Sequence, residues 1–505
     1  VPVLTEAERA RLPLDPLLAA VVERARSELR EVDPLGALLL GDRGLGLPDG
    51  SWEAEADERD RLQRLLAMVQ AVPEPADVDD QVDRLALLFG LRRAIPAEGT
   101  RAPTGAIVLE RQLLARLAPL ARYPLSHAPE VIEVVEHAPA FLARSREGCL
   151  GGPAPAGEVA LAAAKRLPAL IEVLAAAVNI PDMRTRLEAA LGPMLAAAAE
   201  DSGWILKQYL PAASAPAPRE DIVDGAVSLG LGAGLEDLEA AAEAALAEQA
   251  AIAYEEPIKH DDPVEPHRKH WSADAVARRW ESIEPIADAW CPAPVGTACE
   301  VEAAPVWLVP LLPPLALVNP GPLSQRPFRL LVGTRLWGTD TDVDGGLLSS
   351  YLLEWLPAAW QRAGTRLARL LLPATDAVSG WQNVARAQAP GLGAWREVDA
   401  RRELAWRSIL ALVATGFVRG RLDLDEGASL VAAETGMEPE TARLQAAHVA
   451  TQPVAALALV AGKRVMDALM PRLGALSDPA TARARLLHAG PIPAGSIEIG
   501  GGYTR

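Results

Sequence analysis

The chain has 505 residues, half of them apolar, with 67 Asp plus Glu against 49 Lys plus Arg and a formal net charge of -18. That length is enough to bury a sizeable core and an internal cavity. The acidic balance disfavours nucleic acid and anionic lipid, because the densest basic cluster, "ARRELAWR", is too short to offset the repulsion. In chain order, apolar residues recur at helical spacing in "DPLLAAVVERARSELREV", "RDRLQRLLAMVQAV", "EVALAAAKRLPALIEVLAAAVN", "MRTRLEAALGPMLAAAAEDSGWILKQYL" and "GLEDLEAAAEAALAEQAAIAYEE". Most begin near Asp, Pro or Ser and stop near Gly, Pro or Asn, where capping chemistry places helix ends. Residues 210 to 220 read as an Ala/Pro/Ser linker, and residues 255 to 270 as a polar connection. From Val301 to Thr334 the chain turns Val/Leu/Pro-rich, and "WLVPLLPPLALV" and "RPFRLLVGT" predict short strands or extended segments. Helices resume after Gly346 and run to about Leu487, before the irregular tail "GPIPAGSIEIGGGYTR".

The expected fold is therefore mainly α: one large helical body with a central cleft and a small β or extended insertion around 301–335. Its possible halves are 1–254 and 271–505. No fixed-period repeat appears, so a solenoid is not expected. Cys149, Cys291 and Cys299 are too few and too odd in number for a disulfide framework, and read as structural thiols of a reducing cytosol. Cys299 has no histidine close in sequence and is a poor nucleophile candidate. The polar N-terminus lacks an apolar signal core, and the longest apolar stretch is broken by prolines. Both favour a soluble, cytoplasmic protein with no membrane partner, leaving open a leader removed before this sequence begins.

Two segments carry metal-ligating residue types. "KHDDPVEPHRKH" holds His260, His267 and His270 with Asp261 and Asp262, but at no regular ligand spacing, and reads as a solvated loop. His127, His137, His448 and His488 are scattered and read as structural or exposed. Asp340, Asp342 and Asp344 open like a calcium loop, yet its closing carboxylate would fall on Tyr351. The simpler reading is that Asp344 or Gly345 begins a helix whose N-terminus the carboxylates favour.

The stretch "WRSILALVATGFVRGRLDLDEGASLVAAETGMEPETARLQAAHVATQPVAALALVAGKRVMDAL" resembles a large bacterial family of zinc-dependent peptidases catalogued as domain of unknown function 885. It keeps Arg407, Thr415, Gly416, Thr435, Gly436, Pro453 and Gly462 of the family pattern. "TGAIVLERQLLARLAPLARYP", "GLGAGLEDLEAAAEAALAEQAAIA" and "SADAVARRWESIEPIADAW" sit where the family has matching helices. The resemblance implies a signature helix reading His-Glu-x-x-Pro-Gly-His and a later Glu-Gly-Trp-Ala segment, with two histidines and a glutamate on zinc. Here the helix reads "LEWLPAA" and the later segment "SGWQ". Leu353 and Ala359 replace the histidines and Ser379 the glutamate, while Glu354, Pro357, Gly380 and Trp381 remain. Around them Ala414, Val418, Ala455, Leu459 and Gly333 replace polar family residues. The resemblance thus implies a degenerate peptidase homologue with no metal and no cofactor, because a hydrolytic zinc needs those ligands.

On the relict helix, 346–364, residues Leu348, Tyr351, Leu352, Trp355 and Ala359 share one face, and that face is expected to line the emptied cleft. Trp355, Trp381 and Trp360 would wall it, with Trp355, Ser379, Trp381 and Gln382 as ligand-binding candidates. Glu354, Tyr351 and Arg407 are the catalytic candidates. An apolar setting would raise the pKa of Glu354 and suit proton transfer, unless Arg407 pairs with it. Pro357 is expected to kink the helix. Two functions follow. One is a non-catalytic homologue that binds an apolar small molecule, a peptide or a protein partner, which includes a second copy. The other is a metal-free cyclase, isomerase or lyase, in specialised biosynthesis, with Glu354 and Tyr351 moving protons.

Overall fold

A computed structural model describes residues 4–96, 101–215, 218–255, 269–389, 393–476 and 478–500. It is 71% helical and 4% strand, far from the usual mixture, so the mainly α expectation holds. The N-terminal part comprises α1 (Pro16–Val32), α2 (Pro34–Leu40), α3 (Trp52–Ala71) and α4 (Val78–Ala94). Next come α5 (Gly105–Arg122), α6 (Pro124–Arg144), α7 (Ala154–Ala177) and α8 (Pro181–Trp204). Asp15, Asp33, Ser51 and Asp77 each accept a backbone N–H at a helix start, which satisfies donors that the helix itself cannot. α9 (Leu235–Glu255) and α10 (Ala273–Trp290) follow, and the polar connection between them, with His260 and His267, lies outside the described residues.

The insertion is a three-stranded sheet of β1 (Cys299–Ala303), β2 (Leu315–Val318) and β3 (Phe328–Val332). β3 is central, parallel to β1 with Cys299 opposite Phe328 and antiparallel to β2 with Leu315 opposite Val332. Phe328, Leu330 and Val332 join the C-terminal core, whereas Leu331 joins the core of α5–α8. A period-2 strand with apolar residues on both faces is what lies between two cores.

The C-terminal part begins with a helical rod: α11 (Asp340–Ser349), a π turn (Ser350–Trp355) and α12 (Leu356–Gly364). It continues with α13 (Leu367–Leu371), α14 (Thr375–Gln388), α15 (Gly393–Val418), α16 (Leu424–Thr435), α17 (Pro439–Thr451), α18 (Pro453–Gly474) and α19 (Pro479–Ala489). The two parts interlock. α13 buries Leu367, Leu370 and Leu371 in the core of α1, α3 and α4, and Val82, Ala86 and Val159 reach into the C-terminal core.

The rod starts earlier than the sequence suggests. Thr339, not Asp344 or Gly345, is the N-cap, and it forms a capping box with Asp342. Asp340 pairs with Lys269 at 2.7 Å and Asp344 pairs with Arg279. The three aspartates thus serve three separate partners. Among the described residues no group of three His, Cys, Asp or Glu side chains is placed to hold a metal.

Candidate functional site

Pro357 shapes the rod. It has no N–H to give, and its ring would collide with the carbonyl four residues back. The chain answers with a wider turn, in which Leu356 N–H reaches Tyr351 O five residues back. Where the sequence leads one to expect a kink there is a π turn. Carbonyls on this turn accept from outside the helix: Trp381 Nε1–H donates to Leu352 O at 2.8 Å and Gln382 Nε2–H to Leu353 O at 3.2 Å. The proline at 357 and the "WQ" pair at 381–382 are therefore one structural unit.

The face of Leu348, Tyr351, Leu352, Trp355 and Ala359 does not line a cleft; all five are buried in the C-terminal core. Trp355 packs on Tyr351, Trp280 and Phe328 with ring centroids 4.5, 6.1 and 6.4 Å apart. Trp381 packs on Trp290 at 5.2 Å. Trp360 donates to Pro292 O at 3.1 Å. These tryptophans hold the fold rather than wall a ligand site, which corrects the expectation for Trp355, Trp360 and Trp381.

Tyr351 and Glu354 do not converge. The Tyr351 hydroxyl donates to Asp288 Oδ1 on α10 at 2.8 Å. Burial, and then Asp288, push its pKa well above the ordinary phenol range, so it stays protonated. Glu354 lies on the exposed side of the π turn. Surrounding protein raises its carboxyl pKa and Arg386 opposes the rise, but the side chain still reaches water, which screens both effects. Arg407 does not pair with Glu354. Its Nη2 contacts Glu403 at 2.5 Å and donates to Gln382 Oε1 at 3.1 Å. The thiols are equally unsuited to chemistry: all three are free, and burial pushes Cys149 up to about 11 and Cys299 up to about 12.

A cleft of about 570 Å³ does exist beside the rod, and α14, α15, α17 and α18 build it. α17 and α18 meet at 87° around Gln452. The bend sets Gln445 and His448 of α17 against Ala455 and Leu459 of α18, while Ser379, Gln382 and Arg407 close the third side. The structure thus brings together Ser379, Gln382 and Arg407 of the sequence candidates. It adds Gln445, His448 and Gln452, which sequence reasoning missed. Gln445 and His448 lie at i and i+3 on α17 and Gln452 follows at its C-terminal cap, the spacing that could have found them. Burial, and then Arg166 and Arg111, lower the His448 pKa, which favours a neutral ring.

Arg407 is the distinctive group. It is 8% exposed, and its Nε and Nη1 have no hydrogen-bond partner. Glu403 is shared, since Arg386 also reaches it at 2.7 Å.

Several residues singled out in the sequence have packing reasons. A Cβ on Gly462 would lie 2.0 Å from Asp376 O, and one on Gly380 would lie 2.5 Å from Gly462 O. α14 and α18 therefore cross almost backbone to backbone. Gly436 ends α16 in the left-handed conformation (φ 69°), and Pro453 opens α18. The positions that a zinc site would need do not fit one: Leu353, Ala359 and Ser379 are buried and offer only a single hydroxyl among them.

No family model matches the chain, and no curated protein matches it. Solved structures do share its fold. One, described as a "putative lipoprotein" from Colwellia psychrerythraea, superposes with a TM-score of 0.66 at 14% identity, covering 96% of this chain and 98% of that one. Another, a "putative lipoprotein of unknown function" from Shewanella oneidensis, gives 0.64 at 12% identity, covering 95% and 98%. These likenesses show that the whole chain adopts one known mainly helical fold. They also overturn the cytoplasmic expectation: lipoproteins are typically membrane-anchored or secreted. Among the described residues no single helix is long and apolar enough to cross a membrane.

Proposed function

We propose that this protein is a metal-free relative of the zinc peptidases that binds rather than cleaves, and that its cleft takes an apolar small molecule or peptide ending in a carboxylate. One observation carries the reading: a buried guanidinium with two unpartnered nitrogens, Arg407, set in a mainly apolar cleft. A buried cation with free donors costs stability unless an acceptor meets it, and a carboxylate matches its fork. The candidate proton-transfer pair supports binding over catalysis, because Tyr351 serves Asp288 and neither Tyr351 nor Glu354 lines the cleft. Because two proteins of the same fold are described as putative lipoproteins, we propose that the native gene product lies outside the cytoplasm. Cell fractionation of the native host with an antibody to this chain tests that placement, and recovery in the cytosol alone would refute it.

The binding test compares N-acetyl-leucyl-leucine with its C-terminal amide by displacement of an anilinonaphthalene-sulfonate probe. The acid should bind at least tenfold tighter than the amide, and Arg407→Ala should abolish the difference. Equal binding of acid and amide to the wild-type protein would overturn the reading. So would one tightly bound zinc per chain with hydrolysis of either peptide.

A further inference from the structure

A second cavity, of about 720 Å³, opens where α1–α3, α5 and α6 meet, and Gln452 lines both this cavity and the cleft. Its character is opposite. Six carboxylates line it against three guanidiniums. Most of these charges are committed. Arg101 holds Glu55 at 2.7 Å and donates to the carbonyls of Arg144 and Glu147. Arg61 holds Glu31 at 2.7 Å. Asp33 and Asp49 accept backbone N–H groups at 2.8 and 3.1 Å. Arg111 is exposed. Glu58 is different: it is only partly exposed, its carboxyl has no hydrogen-bond or ion-pair partner among the described residues, and the charges nearest it are Asp33 and Glu55. Arg101 is committed to Glu55, so Glu58 has two carboxylate neighbours and no cation of its own, a setting that attracts a positive charge.

An independent feature points to the rest of the ligand. Gln112 is fully buried and lines the same cavity. Its Oε1 accepts from Arg116, which fixes the amide's orientation, and its Nε2 is left without a partner. A buried, unpartnered amide donor in the wall of a cavity calls for an acceptor such as a carbonyl. The carboxylates do not converge as a divalent cation needs, for no metal-holding group of three occurs among the described residues.

We propose that this cavity is a second binding site, for a peptide ammonium group received by Glu58 while a nearby peptide carbonyl accepts from Gln112 Nε2. The ammonium is either an N-terminal amine or a lysine side chain. The proposal uses none of the residues of the Arg407 cleft and stands apart from that reading.

Calorimetry at pH 7.5 with two probes tests it: alanyl-alaninamide, which has an α-ammonium, and Nα-acetyl-lysinamide, which has an ε-ammonium. Neither carries a carboxylate, so the outcome is independent of Arg407. At least one should bind, with affinity falling about tenfold or more when its amine is acetylated and again in Glu58→Gln. The tighter of the two identifies the source of the ammonium. The acetylated controls need no variant, so a folding defect cannot hide the result. Binding by neither probe, or equal binding before and after acetylation, would overturn the proposal.

Discussion

The two cavities meet at Gln452 and differ in almost every other respect. The cleft between α14, α15, α17 and α18 is mainly apolar and presents one under-partnered guanidinium. The cavity among α1–α3, α5 and α6 is rich in carboxylates and presents one under-partnered carboxyl. Ser379 lines the first, and the second is built by elements far from it in sequence. Polar groups left unsatisfied in each cavity are the guide to what it holds.

The largest expected effect tests the apolar side. Arg407→Ala should weaken a carboxylate ligand of the cleft by about 2–5 kcal/mol, the cost of removing one partner of a buried charge pair. It should leave ammonium probes of the polar cavity unaffected. Titration of both ligand classes against the variant checks this, and parallel loss of both would merge the two cavities into one site.

Next is the crossing that holds the cleft's walls apart. Gly462→Ala puts a methyl group 2.0 Å from Asp376 O. That overlap is backbone against backbone, so the variant should lose about 3 kcal/mol of stability as α14 and α18 separate. Ala at Gly436, which has nothing within 4 Å but sits at φ 69°, should cost less, about 1 kcal/mol. Urea unfolding of the two variants ranks them, and equal losses would mean the crossing is not tight.

The polar side has its own signature in pH. Burial, with Asp33 and Glu55, pushes the Glu58 carboxyl up from 4.5 to about 7. A group with a raised folded pKa holds its proton longer in the folded chain. Its contribution to stability is full below about 4.5 and is lost as pH rises through about 7. Glu58→Gln should therefore match the wild type at pH 4.5 and exceed it at pH 8.5 by roughly 1–3 kcal/mol, the upper figure being the full shift before solvent screening. Denaturant melts at the two pH values measure it. A wild-type advantage at pH 8.5 would mean that a cation already sits on Glu58.

How far the sequence foretold this depends on the kind of signal. Helical periodicity and capping residues are local, so the helices were legible, as was the small extended insertion expected around 301–335. Partners in three dimensions were not. Residues Tyr351 and Glu354 lie three apart, which on an α-helix would bring them together, but the π turn demanded by Pro357 and the reach of Tyr351 to Asp288 separate them. The tryptophans look like ligand walls in sequence because they are aromatic and near the old motif, yet each has a packing partner from a distant segment. Glu58 and Gln112 carried no motif at all, since what marks them is the partner they lack.

The last expected effect concerns that π turn, and it bears on what the helical rod at 340–364 does. A second π turn, Ile205–Tyr209, precedes Pro211 in the same register, with Leu210 N–H reaching Ile205 O. The same local pairing of turn and proline thus arises twice, although Pro119, Pro168 and Pro193 sit inside helices that stay α-helical. What distinguishes the turn at 350–355 is that Trp381 and Gln382 reach back to it, and Gln382 also receives Arg407. Trp381→Phe keeps most of the packing on Trp290 but removes the donor to Leu352 O. It should cost about 1–2 kcal/mol, the price of a buried carbonyl left unpaired plus a slightly smaller ring. If the turn positions Arg407 through Gln382, this variant should also slow or weaken carboxylate binding in the cleft while leaving Glu58 and its ammonium probes untouched. A stability loss with unchanged carboxylate binding would confine the turn to a structural role.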